Sequence, residues 1–184
     1  MSLVELIAQA DERGLAASGL ACLDRCVPLL GGDDEILRPL WASLTDDAGA
    51  GDWGDGLEQA RGKLDAAGDG DEAVALAHRM LEAAPAERSA AEVRVWADAC
   101  SVASLQIHRL LDTAQDDASS VDTRRQGRTE GMSPLVAAEL RRQVTVLEVL
   151  SGHGAAGLRR ALEVSVEGRR VLRAVVSRRT RQRS

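Results

Sequence analysis

The residues in this sequence best suited to chemistry are its three histidines, each with a neighbour able to assist it. His78 and Glu82 stand four positions apart, and so do His108 and Asp112. On a helix that spacing puts both side chains on one face. An imidazole and a carboxylate placed so can share a metal ion, or act as a base and the acid that orients it. His153 sits between Gly152 and Gly154, where missing side chains would let a ligand reach the backbone. These five residues make up the candidate polar site. Each also has a plainer explanation. The four-residue spacing recurs by chance on acid-rich helices, where it yields surface contacts of small energetic value, and a glycine pair is an ordinary helix stop. Neither Glu-x-x-His nor His-Glu-x-x-His occurs, so the patterns of helical metal sites are missing. No catalytic residue, metal ligand or cofactor is therefore assigned.

Cys22 and Cys26 share a helix face, and Cys100 is remote in sequence. An odd number of thiols without framework spacing fits a reducing cytoplasm and reads as small buried hydrophobes. A zinc site would need further Cys or His ligands close by. The acidic runs Asp33-Asp34-Glu35 and Asp69–Glu72 lack the alternating ligands of a calcium loop and suit helix N-termini instead. Phosphate loops, dinucleotide fingerprints and nucleophile elbows are missing from the sequence as well.

Charge supplies the other candidate chemistry. Residues 1–118 carry 23 acidic and 9 basic side chains, whereas residues 119–184 carry 6 acidic and 14 basic ones. Arg169, Arg170, Arg173, Arg178, Arg179, Arg181 and Arg183 crowd the end of the sequence and are the candidate contacts for an anionic partner. The plainer role for such cations is to complement a helix C-terminus. An acidic body and the lack of stacking aromatics argue against nucleic acid.

The elements that must position these groups are helical. Phe and Tyr are absent and Trp occurs three times, which disfavours sheet. Ala, Leu, Glu and Arg are abundant and favour helix. Ser2-Leu3-Val4-Glu5 and Ser89-Ala90-Ala91-Glu92 are capping boxes. The first opens a helix halted by Gly14. A second helix is expected from about Leu15 to Pro28, and a third around Ile36–Leu44, kinked at Pro39 or starting near Arg38. Residues 45–56 read as a loop. Helices are expected at about Leu57–Ala67 and Asp71–Ala84. The longest should run from Ser89 to Ala114, about 40 Å, with Trp96, Ala103 and Leu110 widening its buried stripe. Residues 115–131 lack an apolar pattern and are expected to be a flexible linker. Ser133-Pro134 opens a helix reaching about Ser151, and a last helix begins near Ala155.

The expectation is thus an all-α, single-domain helical bundle of about six to eight helices with one long central helix. Its parts are a core over 1–114, the linker 115–131, a C-terminal hairpin over 132–177 and a basic tail over 178–184. A cytoplasmic location is expected, since no stretch matches a signal peptide or the roughly 18 apolar residues of a membrane span. The expected function is a non-enzymatic interaction or regulatory protein whose partner is a second copy of the chain or another protein. One alternative is a helical enzyme or a small-molecule or metal binder using His78, His108 or His153. The other is an anion or nucleic-acid binder using the arginine tail.

Overall fold

The computed structural model describes residues 1–64, 71–113 and 121–183, and it is all-α, with no strand among them. The α-helices are α1 (Leu3–Gln9), α2 (Glu12–Arg25), α3 (Arg38–Ala42), α4 (Asp52–Lys63), α5 (Glu72–Glu82), α6 (Ala90–Leu111), α7 (Val121–Arg125), α8 (Pro134–His153) and α9 (Leu158–Arg183). Short 3₁₀ turns cover Val27–Leu29 and Gly154–Gly157. None of the described helices is long and apolar enough to cross a membrane.

Helix starts follow the capping chemistry. Ser2 and Glu5 form the reciprocal box at α1, and Ser89 accepts the Glu92 N–H at α6. Asp11 caps α2, so that helix begins three residues earlier than its apolar pattern implies, and Gly14, expected to halt the first helix, lies inside α2 while α1 already ends at Gln9. Pro39 sits in the first turn of α3, where its missing N–H costs nothing. Gly154 takes φ 55° and stops α8 after His153.

The core forms around α2, which buries every residue from Gly14 to Arg25. It packs against α6, α8 and α9, while α5 lies on α6. Gly19 is what allows α2 and α6 to approach, because a Cβ there would lie 2.6 Å from the Trp96 ring. Trp96 meets Trp53 edge to face, with ring centroids 5.7 Å apart.

Four expectations need correcting. Residues 45–56 are not all loop: α4 begins at Asp52, and Trp53 is buried with its indole N–H on the Pro85 carbonyl. The helix expected to be the longest ends at Leu111, giving 22 residues and about 33 Å, and the 26-residue α9 exceeds it; Ala114 lies outside the described residues. Leu110 does not face the core, since it is 45% exposed and Leu111 is the buried residue there. The segment expected to lack anchors has three: α7 buries Val121, Arg124 and Arg125. Arg124 donates to the carbonyls of Arg128 and Glu130, closing the chain after α7. Residues 115–120 of that segment, and residues 65–70 between α4 and α5, lie outside the described residues.

Candidate functional site: a closed polar core and an open apolar face

The centre of the bundle is polar. Arg25, the last residue of α2, donates two parallel hydrogen bonds to Glu139 on α8, Nε to Oε2 and Nη2 to Oε1, each 2.7 Å. Both side chains are 0% exposed. A charge in so dry a place is tolerable only when paired and hydrogen-bonded, and the neighbours provide this. The Ser104 hydroxyl of α6 donates to Glu139 Oε1 at 2.7 Å, and the Gln143 amide donates to the same oxygen at 3.0 Å. Ser101 donates to Gln143 Oε1 at 2.6 Å and accepts from Arg125 Nε at 3.2 Å; Arg125 also pairs with Asp98. The network therefore joins α2, α6, α7 and α8. Arg25 Nη1 is the one arm of that guanidinium left without a partner.

Burial would raise the Glu139 carboxyl, but the Arg25 guanidinium and the hydrogen bonds from Arg25 and Gln143 outweigh it and hold it at about 2. His108 occupies the same pocket of charge. Its Nδ1 lies 2.7 Å from the Ser104 carbonyl, and its Nε2 lies 3.6 Å from Glu139 Oε2. Burial pushes this imidazole below its ordinary 6.5, against the pull of Glu139. It is therefore neutral near pH 7, with its proton on Nδ1, where only an acceptor stands. The buried thiols stay protonated: burial pushes Cys22 up to about 12 and raises Cys26 and Cys100 as well.

These shifts fix how stability responds to acid. Stability rises with pH wherever the unfolded chain binds more protons than the folded one. Below pH 6.5 the unfolded chain protonates His108 while the folded chain resists. Below 4.5, the ordinary value for Glu139, the same holds for that carboxylate down to about 2. Asp24, raised by burial against the pull of Arg169, runs the opposite way above its ordinary 3.8. Urea unfolding at a series of pH values should show stability falling in two stages as pH drops from 7 to 3. His108→Gln should flatten only the upper stage.

The other sequence candidates do not converge on this centre. His78 is buried on α5, and Glu82 is exposed at its end. Asp112 caps α6 and accepts the Leu135 N–H at 2.8 Å, tying α6 to the start of α8. His153 is exposed at the end of α8. The expectation that both His–acid pairs are surface or edge contacts fails for the histidines, because His108 is 1% exposed and hydrogen-bonded inward. Among the described residues, no three His, Cys, Asp or Glu side chains are grouped so as to hold a metal ion.

Several of the candidate arginines are already occupied within the chain. Arg169 pairs with Asp24, whose other oxygen accepts the Trp41 indole N–H at 2.8 Å, and Arg169 also donates to the Asp34 carbonyl at 3.0 Å. Arg173 pairs with Asp34. Arg179 and Arg183 reach Asp71, the N-cap of α5, at 2.5 and 3.5 Å. Arg170, Arg178 and Arg181 lie exposed. The expected basic tail is thus the last two turns of α9, and much of its charge is spent on the acidic half of the same chain.

The open feature lies on the far side of α6. Val95 is 72% exposed, Ala91, Ala99 and Leu110 are also exposed, and Val102 and Ala103 are half-buried. Helical spacing puts these on one outward stripe interrupted by Gln106. Beside the stripe, α5 and α6 enclose a groove of about 380 Å³ lined by Leu76, Met80, Ala83, Ala99, Val102 and Ala103 among others, with Trp96 also lining it. It continues past Ala83, Trp96 and Ala99 into a second hollow of about 730 Å³ by Pro85, Ala86 and Val95.

A helical bundle with a sealed polar centre and an apolar outer groove is the class that fold and site define. Compared with known proteins, the chain matches no family model, no curated protein and no solved structure.

Sequence reasoning missed Arg25, Glu139, Gln143, Ser101 and Ser104 as a unit. The signal was available in part: Glu139 and Gln143 are four apart on the apolar side of α8, and Ser101, Ser104 and His108 recur on the buried side of α6.

Proposed function

We propose that this protein is a non-enzymatic helical interaction module that works through the outward face of α5 and α6. The observation carrying the reading is that face: Val95 stands in solvent at the edge of a continuous apolar groove lined by Trp96, and Leu110 is exposed further along the same stripe of α6. Exposed apolar surface that is contiguous, rather than scattered, marks a binding surface. The polar centre supports the same reading from the other side. Both oxygens of Glu139 are already engaged, and Arg25 and Glu139 have no exposed surface that a substrate could meet. The centre serves the fold, and the groove serves the partner.

The test is photo-crosslinking in living cells, with a benzophenone amino acid at position 95. A light-dependent adduct is expected there. None is expected at position 159, where the Arg159 side chain is 92% exposed on α9 and away from the groove. Failure to trap any protein from position 95 would remove this reading.

A further inference from the structure

Resting on that reading, we propose that the occupant of the α5–α6 face is a second copy of this chain, docked with its α6 antiparallel to the first about a two-fold axis near Cys100–Ser101. The argument is self-complementarity. A two-fold contact must match a surface to itself. The outward stripe of α6 has its two halves balanced around that point: Val95 lies as far before it as Gln106 lies after, and the same is true of Ala99 with Val102 and Ala91 with Leu110. In the antiparallel arrangement Val95 therefore faces Gln106 of the other copy, and Ala99 faces Val102. The residues nearest the axis are small, Ala99, Val102 and Ala103, and allow the helices to approach closely.

Charge selects the antiparallel direction. Glu87 and Glu92 line the end of the groove near the start of α6. Exposed Arg109 stands at the other end of α6, as far past the axis as Glu92 lies before it. Antiparallel docking sets the acidic end of each copy on the basic end of the other, and opposes the two helix dipoles. Parallel docking would set Glu on Glu and Arg on Arg, which is disfavoured. The other charges of α6 are taken up within the chain: Arg94 donates to the Ala10 carbonyl and Asp98 pairs with Arg125.

Sedimentation of the purified full chain at micromolar concentration should give a dimer. Val95→Arg should weaken it by about tenfold or more. Because Val95 is 72% exposed, the variant keeps the fold, which circular dichroism and the urea midpoint would verify. Orientation is read by oxidation: the doubly substituted V95C/Q106C chain should form a disulfide-linked dimer, whereas V95C and Q106C alone should not. The native cysteines are buried and do not contribute. A monomer throughout that range, a dimer indifferent to Val95→Arg, or ready self-crosslinking of V95C alone would each overturn the proposal. If the in-cell adduct from position 95 contains a different protein and the purified chain is a monomer, the interaction reading stands and the self-docking falls.

Discussion

Glu139→Ala should lower the unfolding free energy by about 3–5 kcal/mol in urea titration, the cost typical of leaving one member of a buried ion pair without its counterpart. The cause is Arg25. Its guanidinium cannot lose its proton and cannot reach water, since its side chain is 0% exposed. Without Glu139 its Nε and Nη2 would join Nη1 in having no carboxylate to meet. Removing both partners should be far milder. The double variant Arg25→Met with Glu139→Met replaces a paired charge by apolar volume, which elsewhere is neutral or even stabilising. The diagnostic quantity is the coupling between the two sites. If the double variant loses as much as the sum of the singles, the pair is not the unit described above.

Gly168→Ala should be the second large effect, about 1–3 kcal/mol of destabilisation from overpacking. On an ordinary helix this change is favourable by roughly 0.5–1 kcal/mol, so the expected result reverses the usual sign. A Cβ at position 168 would lie 2.4 Å from Arg25 Cδ and 2.9 Å from its Cγ. Those atoms are the middle of a side chain clamped at its far end by Glu139, and they have nowhere to go. In an Arg25→Ala background the same substitution should become neutral or stabilising, as thermal or urea unfolding would record. A loss that persists there would show that something other than the Arg25 stem requires the glycine.

Those two sites explain what the sequence does and does not disclose. The helices were legible because their signals are local: a serine with a glutamate three positions on, a proline in a first turn, an apolar residue every three or four. The all-α fold follows from such signals summed along the chain. Burial of charge is not local. Arg25 is separated from Glu139 by 114 positions, and nothing within a helical turn of either one reveals that they meet. An arginine ending a helix reads as an exposed cation complementing a dipole. Arg124 and Arg125 misled in the same way, making a packed segment look like a linker. Leu110 misleads in reverse, because its broad apolar stripe reads as one buried face when it has an inward and an outward part. Gly168 was the best available clue. A glycine in the interior of an otherwise strong helix marks a place where another chain segment crosses close by.

The ion pairs that join α9 to the first part of the chain also impose an order of events on synthesis. Asp24 and Arg169 are 145 positions apart. A ribosome adding about 5–20 residues per second leaves Asp24 waiting roughly 7–30 seconds for its cation. Arg25 waits nearly as long for Glu139. Throughout that interval α2, which becomes the most enclosed helix of the molecule, carries two adjacent charged side chains whose buried partners do not yet exist and which favour water. The nascent segment is thereby held back from burying itself early around the wrong neighbours, until α8 and α9 emerge with the counter-charges and allow the interior to close.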